Sequence, residues 1–274
     1  MHQDEKFALV TGASSGIGRQ ISVQLARRGC HIIAVSNQPT RLQDLKRELE
    51  NSFQVQVFTL NLDLAREDAA ESVFSYCEER DLRVDILVNN AGMLVYGEMV
   101  EAGTDRARSI LQLHVTTPAL LCRLFGEKMK RRGSGYIMNT SSISAVMPYP
   151  TISLYGPTKA FMRHFTRAMR TELKPYGVRV TCLLPGATDT PLNQEQPFNV
   201  SLGKRLGMVK RSGTVARAGV KALFRDRPVC IPGVLNRIIV FTLPLLPHSL
   251  IYCIYRRNLR KHGRDQRNTK IPSE

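Results

Sequence analysis

Apolar positions along this chain follow two alternating patterns. Short continuous runs at 7–11, 31–35, 54–60, 84–89, 135–139 and 178–184 are rich in β-branched and aliphatic residues with little polar alternation, as in strands covered on both faces. Between them, stretches near 16–29, 40–51, 65–80, 106–131 and 155–174 return their apolar residues at helical spacing, as Ile21, Leu25 and Ala26 do in the first. Regular alternation of strand and helix predicts an α/β fold, a Rossmann-type doubly wound parallel sheet in a single domain. A length of 274 residues suits one such domain with ample core, and no repeat or low-complexity segment interrupts it.

Chemistry enters at the end of the first strand. Phe7–Thr11 runs directly into Gly12-Ala-Ser14-Ser15-Gly16-Ile17-Gly18, and a helical pattern begins at once. Strand, glycine turn and helix form the unit that cradles a dinucleotide pyrophosphate. Gly12 permits the tight turn, Gly16 admits the phosphates to the backbone, and Gly18 lets helix and strand pack closely, while the helix N-terminus offers amides and a positive dipole end.

A second constellation lies further on. Tyr155 and Lys159 stand four residues apart, hence on one helix face, and Ser142 precedes the tyrosine by thirteen residues. A cation beside a phenol favours the phenolate, so Lys159 is expected to draw the Tyr155 pKa down from about 10. Ser142 is then placed to hydrogen-bond a substrate oxygen. Any one of these signals occurs by chance on many chains; their order does not.

Thr11-Gly12-x-x-x-Gly16-Ile17-Gly18, Asn89-Asn90-Ala91-Gly92, Ser142, Tyr155-x-x-x-Lys159 and Pro185-Gly186 together resemble the short-chain dehydrogenase/reductase family, over about residues 5–190. The resemblance implies an NAD(P)-dependent enzyme transferring hydride between the nicotinamide and a carbonyl carbon. In it Tyr155 is general acid or base, Lys159 tunes it and holds the nicotinamide ribose, and Ser142 orients the carbonyl. It further implies cofactor contacts from Gly12, Ser14, Ser15, Gly16, Ile17, Gly18, Asn89, Ala91, Gly92, Pro185, Gly186 and Thr188, with Thr190 on the carboxamide and Asp63 on the adenine amino group. Relatives carry an asparagine near the place of His114. That histidine is therefore either part of an altered proton relay titrating near 6.5 or a satisfied buried side chain.

After the second strand, Ser36 and Asn37 stand where an Asp would select NAD or an Arg would select NADP. With the carboxylate missing and Arg41 and Arg19 nearby, the expectation leans to NADPH over NADH. The segment from Thr188 to Val209 covers the pocket in the family. Met147, Pro148, Tyr149, Pro150, Leu192, Phe198, Leu202 and Leu206 form a candidate apolar lining for a lipophilic carbonyl substrate. A long-chain 3-ketoacyl group or 3-ketosphinganine is expected ahead of a steroid or small ketone. A cofactor-binding sensor without turnover and a membrane-surface module are the readings from other classes; the joint presence of Ser142, Tyr155 and Lys159 favours an enzyme.

Charge changes the picture at the C-terminus. The net charge is +16, and residues 203–274 hold sixteen Lys or Arg against Asp226, Asp265 and Glu274. Residues 238–255 are largely apolar but contain Pro244, Pro247 and His248, so a surface-lying segment drawn to anionic lipid fits better than a spanning helix. A pocket lid or subunit interface is the alternative. The chain thus divides into a catalytic domain at 1–235 and an apolar, then basic, extension at 236–274. Nucleic acid is not expected, since no reading motif accompanies the basic run. Six scattered cysteines, Cys30, Cys77, Cys122, Cys182, Cys230 and Cys253, support neither a metal site nor a disulfide framework. With no apolar leader at Met1, a reducing cytoplasmic location is expected, peripheral at the inner membrane face if the extension binds lipid. The family commonly assembles through the helices near 106–131 and 155–174, which implies a homodimer or homotetramer.

Overall fold

The computed structural model describes residues 6–94, 96–146, 150–191, 209–247, 249–253 and 255–256. Seven strands form one parallel sheet: β1 (Phe7–Thr11), β2 (His31–Ser36), β3 (Val57–Asn61), β4 (Val84–Asn89), β5 (Gly135–Thr140), β6 (Val178–Leu183) and β9 (Val229–Cys230), in the order β3-β2-β1-β4-β5-β6-β9. Among the described residues, the short strands β7 (Thr188–Asp189) and β8 (Lys210–Arg211) pair only with each other. The chain builds outward from β1 to β3, then crosses back to place β4 on the other side of β1. That reversal opens a crevice beyond the carboxyl ends of β1 and β4, the usual ligand position in such sheets.

Each strand's two-residue period divides its side chains between two cores. Ala8, Val10, Ile32, Ile86 and Met138 pack with α1 (Gly16–Ala26), α2 (Pro39–Ser52) and α7 (Ser212–Phe224). Leu9, Ile33, Leu87, Ile137 and Val180 pack beneath α3 (Ala69–Glu78), α5 (Thr117–Arg132) and α6 (Tyr155–Leu173) on the opposite face. Full burial of each large aliphatic side chain contributes about 1.5–3 kcal/mol. Of the apolar residues on the helices implied for assembly, Leu121 and Met169 lie in this second core, and Leu113, Leu120, Leu124 and Phe165 pack against it. Phe161 remains exposed, stacked on Phe165.

Two departures from the periodicity have local causes. The third strand begins at Val57 rather than 54, because Val55 donates back to the Phe53 carbonyl in a tight turn. The predicted helix over 106–131 is α4 (Thr104–Leu111), a π turn (Gln112–Thr116) and α5. Pro118 has no N–H to give the His114 carbonyl, and the ladder widens there, with the Thr117 amide reaching Gln112. Beyond 184, where the sequence pattern marks no elements, the structure adds α7, β9 and α8 (Val234–Thr242). Among the described residues, no helix is long and apolar enough to cross a membrane.

Candidate active site

A cleft of about 470 Å³ occupies the crevice. Its floor is the glycine loop, with Gly12 and Gly16 both at positive φ, +65° and +53°. A Cβ at Gly12 would fall 2.9 Å from the Ala91 Cα, and one at Gly18 would fall 2.2 Å from the Gly12 carbonyl oxygen, so backbone rather than side chain demands glycine at both. A Cβ at Gly16 would meet the Thr190 methyl at 2.9 Å: Thr190 and Pro191 roof the loop. Ser14, Ser15, Ile17, Ser36, Asn37, Asp63, Ala91 and Gly92 all line the cleft, and α1 points its N-terminus into it. Ser14 and Ser36 join the two strand ends through a 2.8 Å hydroxyl contact. This cradle, which a Cβ would fill, fits a dinucleotide.

The asparagines of the Asn89-Asn90 pair face opposite ways. Asn89 turns into the core, donating to Asn139 Oδ1 at 2.9 Å. Asn90 lines the cleft, its amide donating to Thr11 Oγ1 at 2.9 Å and its side chain to the Thr11 carbonyl at 3.2 Å. Asn89 is therefore a scaffold residue and Asn90 the cleft residue, one the last residue of β4 and the other the first beyond it. Arg106 also lines the cleft, where sequence reasoning had no signal for it, because α4 carries no motif. Arg19 pairs with Glu48 on α2, and Arg41 is exposed and does not line the cleft.

Ser142, Tyr155 and Lys159 meet at the other end of the crevice. Ser142 follows β5, where Ser141 N donates to the Leu183 carbonyl and Ile143 N to the Pro185 carbonyl, tying the serine turn to the Pro185-Gly186 loop. Ser142 acts on the Tyr155 phenol from this turn, opposing the rise of its pKa, and its Oγ accepts from the Ser144 amide at 3.1 Å. Lys159 is buried, with Nζ 3.3 Å from the Thr140 carbonyl and 5.6 Å from the Tyr155 ring centroid. A Cβ at Gly92 would lie 3.5 Å from that ammonium, which brings the lysine to the cleft wall. The electrostatics differ from the sequence expectation. Burial pushes the Tyr155 phenol above its ordinary value, opposed by Ser142, and burial pulls Lys159 down to about 8. Desolvation leads both shifts, with Lys159 only 5% exposed and Tyr155 half-buried.

His114 lies on the π turn, edge-on to Tyr155 with ring centroids 5.6 Å apart. Its Nε2 is 3.0 Å from the Met93 amide, which can only donate, so the network puts the ring proton on Nδ1, 2.9 Å from Thr158 Oγ1. Thr158 in turn donates to the Tyr155 carbonyl at 2.8 Å. Both ring nitrogens are engaged, and burial with the nearby Lys159 charge holds the pKa well below the usual 6.5. Of the two open readings, the geometry gives a neutral, satisfied histidine that clamps the Gly92–Met93 segment to α6, not a relay titrating near 6.5. A cavity of about 10 Å³, the size of one water, lies among Thr11, Asn89, Thr140 and Lys159.

The remaining predicted residues divide. Thr188 Oγ1 donates to the Gly186 carbonyl at 2.8 Å and Thr190 to the Thr188 carbonyl at 3.4 Å, shaping the loop after β6. Gly186 faces Asn236 of α8, which a Cβ would overlap at 2.5 Å. Of the apolar lining, Pro150 is described and half-buried; Met147, Pro148, Tyr149, Leu192, Phe198, Leu202 and Leu206 lie outside the described residues. A cavity of about 170 Å³ is bounded by Tyr96, Met99, Ser153 and Leu154, the residue before Tyr155. The Gly97 amide, donating to the Thr151 carbonyl at 2.8 Å, holds its two walls together.

Comparison with known proteins agrees with this geometry. The short chain dehydrogenase family matches residues 6–199. The chain is 31% identical over 193 residues to 17-beta-hydroxysteroid dehydrogenase type 3 of Rattus norvegicus, an alignment spanning 69% of this chain and 62% of that enzyme. It is 33% identical over 186 residues to very-long-chain 3-oxoacyl-CoA reductase-A of Danio rerio, spanning 66% of this chain and 57% of the other. The chain thus covers less than two thirds of either relative. Among solved structures, a short-chain dehydrogenase from Sphingobium yanoikuyae in complex with NADPH superposes with a TM-score of 0.77 at 28% identity, covering 98% of this chain and 97% of that one. The family match spans most of the chain and the whole sheet superposes on that structure: this chain belongs to the short chain dehydrogenase family.

Proposed function

We propose that this chain is an NAD(P)-dependent oxidoreductase acting on a ketone or secondary alcohol, with NADPH preferred and a lipophilic 3-keto compound, such as a long-chain 3-ketoacyl group or 3-ketosphinganine, as substrate. The observation that carries the chemistry is the convergence of Ser142, Tyr155 and Lys159 on the crevice that holds the glycine loop. A nicotinamide dinucleotide seated on Gly12, Gly16 and Gly18 supplies or accepts the hydride.

In reduction, the Tyr155 phenol donates its proton to the carbonyl oxygen as that oxygen becomes an alcohol. Ser142 holds the same oxygen and the phenol together, which fixes the line of proton transfer. Lys159, protonated below about pH 8, stabilises the phenolate left behind. A raised phenol pKa keeps the acid loaded across the neutral range. Ketone reduction is therefore expected to decline as pH rises through about 8, where Lys159 loses its charge, and a pH profile of kcat/KM checks this.

Support for the substrate class comes from the cavity bounded by Tyr96, Met99 and Leu154 and from the names of two relatives, one a very-long-chain 3-oxoacyl-CoA reductase and one a 17-beta-hydroxysteroid dehydrogenase. The second name keeps a steroid as the competing substrate. For the cofactor, support is the missing carboxylate at Ser36 and Asn37, the Arg106 guanidinium on the same cleft, and NADPH in the Sphingobium relative. Arg106→Ala is expected to raise the KM for NADPH by roughly tenfold or more while changing that for NADH little, since a lost charge-assisted phosphate contact is worth about 1.5–3 kcal/mol. Equal effects on both cofactors would remove Arg106 from specificity.

A further inference from the structure

The helix α8 is apolar on the wrong side for a globular core. Asn236 and Val240, 5% and 6% exposed, face the domain, Asn236 lying under Gly186. Val234, Ile238, Phe241 and Leu245 are 71%, 53%, 75% and 80% exposed. At 100° per residue Val234, Ile238 and Phe241 fall within about 60° of one another, on the side opposite the buried pair, and Leu245 follows in the 3-10 turn after the helix. Single exposed aliphatics need no explanation, but a stripe along one helix does.

Charge identifies what fits the stripe. From 227 to 264 the sequence has seven Arg or Lys and no Asp or Glu. Among the described residues, Arg237 and Arg256 are exposed on this segment, and Lys210 comes within 3.1 Å of a Cβ at Gly233, where α8 begins. Tyr255 donates to Glu98 at 2.5 Å, joining the end of the segment to the 96–102 loop, itself edged by exposed Val100 and Met99. That contact sets Tyr255 beside the cavity bounded by Tyr96, Glu98 and Leu154.

We infer that this face docks on an anionic lipid bilayer, with Ile238, Phe241 and Leu245 in the acyl boundary and the surrounding arginines and lysines at the headgroups. The helix lies in the interface plane. Three exposed apolar residues on a helix of nine, continued by Leu245 in the turn that follows and flanked by cations, have the composition of an interfacial element, and the helix is too short to span. The inference stands on the surface itself and survives even if the substrate reading fails.

Flotation of the full chain with vesicles tests it without any assay of turnover. The protein is expected to float with vesicles of phosphatidylcholine mixed with phosphatidylglycerol, and to bind phosphatidylcholine alone roughly tenfold or more weakly, since each basic side chain near an anionic surface gains about fivefold in partitioning. High salt should release it. The double variant Phe241→Glu, Leu245→Glu, altered only at exposed positions, should lose flotation by roughly tenfold or more with thermal stability and small-ketone reduction unchanged. Absence of wild-type flotation, equal binding to neutral vesicles, or undiminished binding of the variant would each overturn the inference. So would a dimer in light scattering that the same substitutions dissolve, which would make a second copy of the chain the occupant.

Discussion

Lys159 is an ammonium buried under the sheet end with the Thr140 carbonyl at 3.3 Å, and its pKa near 8 records the cost of keeping it charged there. Below about pH 8 the lysine is protonated in both folded and unfolded chains, so the fold bears the whole penalty. Between about 8 and 10.4 the folded lysine loses its proton first and the penalty disappears. Lys159→Met is therefore expected to raise the unfolding free energy by about 3 kcal/mol at pH 7, to gain progressively less above pH 8, and to abolish turnover. Denaturant unfolding at several pH values checks the trend; a variant less stable than wild type at pH 7 would refute it. The spacing of Tyr155 and Lys159 made their shared helix face legible in the sequence. The sign of the tyrosine shift was not legible, because spacing says which groups meet and nothing of how much water the neighbouring β5 and π turn leave them. Asn89 and Asn90 carry the same lesson, being identical in type and adjacent, yet divided by the end of β4.

At the scale of elements, the π turn at Gln112–Thr116 decides the shape of the site. It sets His114 between the Met93 amide and Thr158, so that one imidazole joins the end of β4 to the helix bearing Tyr155 and Lys159. Only the neutral ring can accept from Met93. Protonation below the unfolded value near 6.5 favours the unfolded chain, so this residue's stabilisation is present above about pH 6.5 and is lost as pH falls. The wild type is expected to lose stability on acidification by up to about 1.4 kcal/mol per pH unit from this group, and His114→Asn to lack that component. Thermal melts of both proteins between pH 7 and about 5 make the comparison; parallel curves would contradict the clamp. The glycine turn supplies a second prediction. Gly18→Ala places a methyl 2.2 Å from the Gly12 carbonyl, where only backbone can yield, and should cost about 3 kcal/mol while weakening cofactor binding. That turn was plain in the sequence because strand, glycines and helix succeed one another without a gap. The π turn was not, since its apolar positions blend into the helical repeat on either side, with Pro118 as the sole hint.

For the whole molecule, the alternating pattern from residue 7 to 184 foretold the parallel sheet, and the reversal between β3 and β4 places the glycine loop, Asn90, Ser142 and Gly186 on one edge. The chain beyond Leu184 was less legible, since two-residue strands such as β9 have no periodicity to read and α7 and α8 are recognisable only by their packing partners. One end of the molecule thus combines the catalytic cluster, the cofactor cleft and an exposed apolar helix within a strongly basic part of the chain. The proposed chemistry turns on Tyr155 delivering the proton in an NAD(P)-dependent ketone reduction. NADPH and NADH oxidation by the wild-type chain and Tyr155→Phe, across small ketones, 3-ketoacyl chains, 3-ketosphinganine and steroids, with cofactor binding measured alongside, puts that step to trial. Turnover of a lipophilic ketone with NADPH is expected, and a loss of about 10²–10⁴-fold in kcat for the variant with cofactor affinity nearly intact. Turnover that survives the loss of the phenol, or cofactor binding without reduction of any ketone, would refute it.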